Sequence, residues 1–300
     1  MFKRLLVPLD GSKLAESALP VVSFLTQVFE TSVVLVHVIE QNPPEKVHGE
    51  HHLRTAEEAK KYLEEISCRS LPPDALVEYH VHTTEVQKVA KSIIDHVREF
   101  DSDLIVMCTH GGGGAHDLLF GSIAQQVMAF GATPVLVIRP SLGTVAASFR
   151  CKRILVPLDG NPEHERCLPL AVDLAIACES SLHLLTVVPT FGTLSGEWTV
   201  TSRLLPGTTS RMLDMSVSGL EEYLQSHQSR LQRSGLEVTC DVLRGEPSQI
   251  IVDAAQALEI DVIVLGTHGK KGTGAFWAGS VASKVSRNSR TPLLLVPVKK

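Results

Sequence analysis

Hydrophobic and polar positions follow two alternating patterns along the chain. Short, continuous apolar runs such as Leu5-Leu6-Val7 predict buried strands. Longer segments between them, such as Leu14–Phe29, carry apolar residues at helical spacing and predict amphipathic helices. Strands that alternate with helices are typical of a parallel sheet joined by right-handed crossovers. The pattern therefore predicts an α/β fold.

In the first half of the chain, this pattern predicts five strands and four helices. The predicted strands are Arg4–Pro8, Ser32–Ile39, Leu76–Val81, Asp103–Cys108 and Pro134–Ile138. The predicted helices are Leu14–Phe29, Ala56–Ile66, Val86–Val97 and Ser122–Phe130. The polar, proline-containing segment Glu40–Arg54 is predicted to be a mobile connection.

The second half repeats the first. Lys3–Gly11 recurs as Lys152–Gly160 at an offset of 149, and Gly121-Ser122 recurs as Gly279-Ser280 at an offset of 158. The second copy is therefore nine residues longer (158 − 149) between its second and fourth strands. The expected domains are residues 1–140 and 151–300, joined by a linker over 140–152.

The second copy has the same predicted order of elements. Its predicted strands are 153–157, 182–188, 236–242, 261–265 and 292–296. Its predicted helices are 163–177, 212–234, 248–258 and 280–288. The additional residues fall within Pro189–Arg211, which we predict to be a disordered surface loop rather than a lid over a ligand.

Composition excludes several classes of protein. The net charge of −5 argues against nucleic-acid binding, and the hydrophobic content of 44% suits buried parallel sheets. No uninterrupted apolar stretch is long enough to cross a bilayer. The six cysteines form no C-x-x-C pair, so we expect reduced thiols in a cytoplasmic protein.

The segment Leu265–Val281 is glycine-rich and lies between a predicted strand and a predicted helix. Glycine allows close approach of the backbone to a ligand, and N–H groups at a helix start favour an anion. Ser280 can cap that helix or donate to a phosphate. The spacing, G-x-x-G, nine residues, then G-S, differs from both common phosphate-loop motifs.

Other candidate ligand residues follow neighbouring strands, where ligands bind in open parallel sheets. Asp159 follows the first strand of the second copy, Val187 lies near the end of the second, and the Gly-x-Pro turn at Gly245 follows the third. Each also has an ordinary structural explanation: an aspartate before glycine forms turns, a β-branched residue fills a sheet, and Gly-x-Pro is a good turn.

Taken together, the strand-one aspartate, the Gly-x-Pro turn and the glycine-rich loop resemble the universal stress protein family across nearly the whole chain. The resemblance implies two doubly wound five-stranded sheets of order 3-2-1-4-5, an adenine nucleotide alpha-hydrolase-like fold, arranged as an internal pseudo-dimer. It also implies a site for ATP with Mg²⁺ in the second domain. The residues assigned to that site are Pro157, Asp159, Val187, Gly245, Gly266, His268, Gly269, Lys270, Gly272, Gly279, Ser280 and Val281.

The first copy departs from the family pattern. Cys108 replaces the first glycine of the loop, and Gln87-Lys88-Val89 stands where the Gly-x-Pro turn would be. We therefore expect the second copy to bind ATP and the first to bind it weakly or not at all. The corresponding residues of the first copy are Pro8, Asp10, Val38, Gly111, Gly112, Gly121 and Ser122.

Little in the sequence supports catalysis. Lys270 and His268 could face a γ-phosphate, but no base is identifiable, so we assign no catalytic residue and expect at most slow ATP hydrolysis. His48, His51 and His52 could bind a metal with His80 or His82. A solvated histidine-rich loop is the favoured interpretation, and no metal site is assigned.

Three functional classes remain open. The first is a nucleotide-dependent stress-response or signalling module, and the second a slow ATPase or a phosphoryl- or nucleotidyl-transfer enzyme. The third is a partner-binding scaffold without nucleotide. The expected partners are an adenine nucleotide, an unidentified protein, and a second copy of the chain bound through sheet-edge strands. In the family, the last strands, Pro134–Ile138 and Pro292–Val296, would pair.

Overall fold

A computed structural model describes residues 1–41, 45–47, 49–109, 121–140, 149–194, 204–268 and 280–298, except for the side chains of Glu85 and His268. The described residues form two compact units. The first contains residues 1–150 together with 292–298, and the second contains 151–267 together with 280–291. None of the described helices is both long and apolar enough to span a membrane.

The first unit alternates strands and helices along the chain, as predicted. Its strands are β1 (Arg4–Pro8), β2 (Ser32–Glu40), β3 (Lys46–Val47), β4 (Glu50–His51), β5 (Val77–Val86), β6 (Leu104–Cys108) and β7 (Val135–Ile138). Its helices are α1 (Lys13–Glu16), α2 (Leu19–Phe29), α3 (Ala56–Ser70), α4 (Val89–Glu99) and α5 (Ser122–Phe130).

The main sheet of the first unit is parallel in the order β5-β2-β1-β6-β7. Counted along the chain without the short β3 and β4, this is the order 3-2-1-4-5 that the resemblance implies. The last strand of the chain, β12 (Leu293–Val298), also belongs to this unit and pairs antiparallel with β7. Leu294 lies opposite Leu136 in that pairing, so the two final strands pair as expected.

The second unit repeats the arrangement. Its strands are β8 (Arg153–Pro157), β9 (Ser181–Val188), β10 (Val238–Arg244) and β11 (Val262–His268). Its helices are α6 (Leu168–Cys178), α7 (Pro206–Gln232), α8 (Pro247–Ala257) and α9 (Val281–Asn288), with a 3₁₀ turn at His164–Cys167. The strands are parallel in the order β10-β9-β8-β11.

An aspartate fixes the central strand pair in each unit. The Asp103 carboxylate accepts hydrogen bonds from the backbone N–H groups of Lys3 and Arg4 at 2.7 and 3.2 Å. Asp261 binds the amides of Lys152 and Arg153 in the same way, at 2.7 and 2.9 Å. The three middle residues of β1 and of β8 are fully buried, so these bonds hold each strand in register where it enters the core of its unit.

The single predicted helix Leu14–Phe29 is wrong. The structure has two helices, because Pro20 lacks an N–H and cannot continue the hydrogen-bond ladder. The chain tightens before it, with the amides of Ser17 and Ala18 bonding three residues back. Pro169 has the same effect in the second unit, where the 3₁₀ turn precedes α6.

Other parts of the chain also differ from the predictions. Strand β5 extends to Val86 because Thr83 and Thr84 are β-branched and favour a strand, so helix α4 begins at Val89 rather than Val86. The segment Glu40–Arg54 contains the antiparallel pair β3–β4. Helix α7 begins at Pro206, inside the predicted loop, because proline is well placed in a first helical turn.

Candidate functional site

A cavity of about 300 Å³ lies where β1, β2 and β6 of the first unit end. Pro8, Asp10 and Val38, three predicted ligand residues of the first copy, line it together with Cys108. This is the carboxyl edge at which open parallel sheets bind ligands. The sheet therefore brings these predicted residues to one cavity, although their copy has the less complete motif.

Asp10 is held by the turn that follows β1. Its Oδ1 accepts a hydrogen bond from the Ser12 amide at 2.9 Å and another from the Ser12 hydroxyl at 2.6 Å. Ser12 Oγ in turn accepts from the Ala15 amide and caps α1. The turn therefore fixes the carboxylate at the cavity wall.

His37 is a cavity residue that sequence reasoning missed, because a histidine inside an apolar strand resembles an ordinary core residue. Its ring Nδ1 lies 2.8 Å from the Leu9 carbonyl oxygen, so Nδ1 carries the proton. Within the described residues, Nε2 has no hydrogen-bond partner. Burial lowers the pKa of His37 more than the backbone groups of Leu9 and Leu53 raise it. The neutral ring thus adds an acceptor to the cavity.

Cys108, which replaces the first glycine of the loop, directs its thiol back into the unit. Its Sγ lies 3.6 Å from the Ala15 carbonyl oxygen, and burial raises the thiol pKa so that it stays neutral. In the second unit the cysteine comes from the helix side instead of the strand. Gly266 stands at the position of Cys108, and Cys167 stands at the position of Ala18. Cys167 is fully buried, and burial raises its thiol pKa more than the Gly266 backbone lowers it. One thiol thus packs between strand and helix in each unit.

The glycine-rich loops themselves lie outside the described residues. This applies to Gly111 and Gly112 in the first copy, to Gly269, Lys270, Gly272 and Gly279 in the second, and to the His268 side chain. Gly121 is the residue before helix α5, which begins at Ser122. Gly266 lies within β11, because that strand continues to His268, so the predicted strand end at residue 265 is wrong.

In the second unit, Asp159 follows β8 and Pro157. Its Oδ1 accepts from the Asn161 amide at 3.1 Å, and its Oδ2 lies 2.8 Å from His164 Nδ1. Burial would raise the pKa of Asp159, but the bonds from His164 and Asn161 lower it. The bond to Asp159 raises the pKa of His164. The first copy has Ala15 at the position of His164, so this ion pair distinguishes the second site.

Gly245 forms a turn whose backbone conformation favours glycine. Its φ is +154°, and an added Cβ would lie 2.7 Å from Ile250 Cγ1. Its amide donates to the Val188 carbonyl at 3.0 Å, at the end of β9 beside the half-buried Val187. Thr193 Oγ1 donates to the Gly245 carbonyl at 3.2 Å. The start of the 189–211 connection is therefore tied to the predicted ribose turn.

Two residues secure the helices around this turn. Ser280 caps α9 by accepting from the Ser283 amide at 3.1 Å, and Val281 is the first helical residue. Glu246, which sequence reasoning missed, caps α8 through the Gln249 amide at 2.9 Å. It also accepts from Lys284 Nζ of α9 at 3.1 Å. Burial would raise the Glu246 pKa, but bonds from Ser248, Gln249 and Lys284 lower it.

Among the described residues, His51 and His52 of the histidine-rich connection do not belong to a cluster of potential metal ligands. His52 is buried, and its Nδ1 lies 3.1 Å from the Leu53 carbonyl oxygen. His51 is exposed and lies 4.0 Å from Glu58. His48 lies outside the described residues.

Each unit is thus a doubly wound α/β domain with candidate ligand residues at the carboxyl edge of its sheet. The sequence model of the universal stress protein family matches residues 1–139 and 150–297. Because these matches cover most of the chain, the chain belongs to the universal stress protein family.

The relatives agree with this assignment. A universal stress protein of Mycolicibacterium smegmatis is 25% identical over 305 aligned positions, which cover 97% of this chain and 96% of that protein. A universal stress protein of Methanocaldococcus jannaschii is 29% identical over 149 aligned positions, which cover 48% of this chain and 81% of that protein. The crystal structure of a universal stress protein from Archaeoglobus fulgidus has the same fold, with a TM-score of 0.65 at 16% identity. It covers 99% of this chain and 97% of that chain.

Proposed function

We propose that this chain is an ATP-binding module for stress response or signalling, with ATP and Mg²⁺ bound mainly by the domain over residues 151–300. The observation that carries the proposal is the turn at Gly245. A φ of +154° favours glycine there, and the Ile250 side chain lies where a Cβ would project, so the turn carries no side chain of its own at the sheet edge. Such a turn allows a ribose to approach closely.

The other described residues of the second unit support this site. Asp159 follows β8 with a carboxylate that is 57% exposed, available to a ligand while His164 holds it in place. Gly266 has no side chain to fill the space beside β11. The adjoining sequence supplies the complete G-x-x-G-x9-G-S loop, whose N–H groups suit a phosphate chain.

The first domain differs at the same positions. Lys88 precedes helix α4 without making a side-chain cap, whereas Glu246 caps α8. The cavity beside Asp10 and His37 nevertheless provides apolar walls and polar atoms. We expect it to accept the base of an adenine nucleotide with weak phosphate contacts, giving a second site of lower affinity.

In this function, ATP acts as a switch rather than as a substrate. ATP can shift an equilibrium between two states only if it binds one of them more tightly, so signalling requires a partner that distinguishes these states. We propose an unidentified protein partner, a homodimer through sheet-edge strands, and a cytoplasmic location. The low net charge and the absence of a spanning segment among the described helices accord with these proposals.

Calorimetric titration of the whole chain with Mg-ATP tests the proposal. Gly279→Ala adds a methyl group in the second loop, and Gly121→Ala is the matched change at the same repeat position of the first. We expect one strong site that Gly279→Ala abolishes and Gly121→Ala preserves. Two equal sites would refute the asymmetry, and no binding would favour the scaffold function.

Release of inorganic phosphate from the ATP-bound protein separates the sensor from the enzyme. Among the described residues, none is placed as a general base, so we expect no sustained turnover. Continuous release that Gly279→Ala abolishes would instead favour the slow ATPase.

A further inference from the structure

Three histidine side chains of the first unit meet between strand β5 and helix α4. His80 and His82 are two positions apart on β5, so they share one face of the sheet. His96 comes from α4. One ring nitrogen from each histidine lies within 4.8 Å of those of the other two. Strand β5 is the outermost strand on its side of the first unit's sheet, so the cluster lies at a sheet edge.

The most buried member of the cluster is already arranged as a metal ligand. His96 is 3% exposed, and its Nδ1 lies 2.6 Å from the Ser92 carbonyl oxygen. A carbonyl can only accept, so Nδ1 carries the proton and Nε2 of the neutral ring presents a lone pair. A histidine that donates one N–H to a backbone carbonyl is fixed in orientation and made more basic at the other nitrogen.

His80 faces that lone pair. Its Nε2 lies 2.8 Å from His96 Nε2, so in the metal-free protein His80 Nε2–H donates to His96. Neutral imidazole is the form that binds metals.

A carboxylate and an aromatic ring complete the surroundings. Glu99 lies one helical turn beyond His96, and its Oε2 is 3.9 Å from His96 Nε2. Its side chain is 59% exposed, so it can reach the cluster from the solvent side. Phe100 packs against His80 and His96, with ring centroids 5.0 and 6.1 Å away, and forms an apolar wall.

We propose that His80, His82, His96 and Glu99 form a binding site for a divalent transition metal ion, with Zn²⁺ as the best fit. Three imidazole nitrogens and one carboxylate oxygen make a tetrahedral donor set for zinc, whereas Mg²⁺ and Ca²⁺ prefer oxygen ligands. At zinc–nitrogen distances of about 2.0 Å, ligand nitrogens lie about 3.3 Å apart. On zinc binding, His80 Nε2 and His96 Nε2 therefore move apart from their 2.8 Å separation, and the His82 ring moves closer to both. The His80 proton moves from Nε2 to Nδ1, which leaves Nε2 free to bind the metal.

Competition between the full-length, metal-free protein and a chromophoric chelator for Zn²⁺ measures the site. We expect one site per chain. His80→Asn and His82→Asn each reduce its affinity by at least tenfold, and Glu99→Gln reduces it by about tenfold. The matched control, His51→Asn, changes an exposed histidine outside the cluster and leaves the affinity unchanged. Unchanged affinity in Glu99→Gln would remove Glu99 from the site.

The spectrum of bound Co²⁺ tests the donor atoms in the wild-type chain, without a substitution in the cluster. With the wild-type chain, a nitrogen and oxygen site gives intense visible bands without thiolate charge-transfer absorption. The competing ligand is the exposed Cys68 thiol, so Cys68→Ser serves as a second control. Thiolate absorption that Cys68→Ser removes, or zinc affinity that His82→Asn leaves intact, would overturn the proposal.

Discussion

At the scale of single residues, backbone geometry selects Gly245. We expect Gly245→Ala to lower the free energy of unfolding by about 1–3 kcal/mol, because its φ favours glycine and its Cβ would press against Ile250. Denaturation in urea measures the loss. Gly235→Ala is the matched control, since Gly235 has a φ of +85° with open space around it. Equal losses of unfolding free energy in the two variants would mean that the contact with Ile250 adds nothing to the cost of Gly245→Ala.

The pair of Asp159 and His164 gives a second prediction at this scale, on pH. The folded-state pKa of His164 is raised, so its contribution to stability is present below about pH 6.5 and is lost as the pH rises through the raised pKa. The pKa of Asp159 is lowered, so its contribution is lost only as the pH falls through that lowered value. The pair stabilises the fold between these limits.

Accordingly, His164→Gln should destabilise the protein by up to about 1 kcal/mol near pH 5.5 and by less near pH 8.5, since Asp159 is largely exposed. Urea denaturation at both pH values measures this difference, with His51→Gln as the control. A loss that is the same at both pH values would show that the bond does not depend on the His164 charge.

The sequence indicated the turn at Gly245 because Gly-x-Pro has a local conformational cause. It could not show where the Cys108 thiol points, because the thiol contacts the Ala15 carbonyl, which is distant in sequence and adjacent in the fold. His37 was missed for a similar reason: its free ring nitrogen is evident only once the Leu9 carbonyl is placed. The sequence thus predicted local backbone conformation, but it did not predict contacts between residues that are distant in sequence.

At the scale of elements, Glu246 joins the start of α8 to α9. Glu246→Ala should cost about 1 kcal/mol of unfolding free energy, because it removes the cap on the Gln249 amide and the contact with Lys284. Glu246→Gln keeps an acceptor and should cost less. The control is Lys88→Ala at the same position of the first copy, where the side chain makes no cap. Urea denaturation compares the three variants, and equal costs for Ala and Gln would contradict capping.

Element order was predictable because apolar runs and helical spacing alternate clearly, whereas boundaries depended on single residues. Pro20 divided one predicted helix, and Thr83 and Thr84 extended β5 by several residues. That extension matters for the proposed metal site. The side chains of His80 and His82 lie on the same face only if both residues belong to a strand. His96 joins them because α4 packs against β5, and no sequence spacing reveals that packing.

At the scale of the molecule, the last strand completes the first unit. Leu294 is 1% exposed in β12 and lies opposite Leu136 of β7. Leu294→Ala should therefore cost about 2–5 kcal/mol and speed amide exchange in β7. Hydrogen exchange with mass spectrometry measures this effect. Leu243→Ala, at a position 39% exposed, is the matched control and should leave β7 protected.

The pairing of β12 with β7 also sets the order in which the protein can fold during translation. β7 ends at residue 138 and β12 at residue 298, so 160 residues (298 − 138) separate them. At ribosomal rates of about 5–20 residues per second, the outer edge of β7 waits roughly 8–32 s for its partner. An unpaired strand edge invites association with other chains. The nascent first unit is therefore a natural client for a chaperone until β12 has been synthesised.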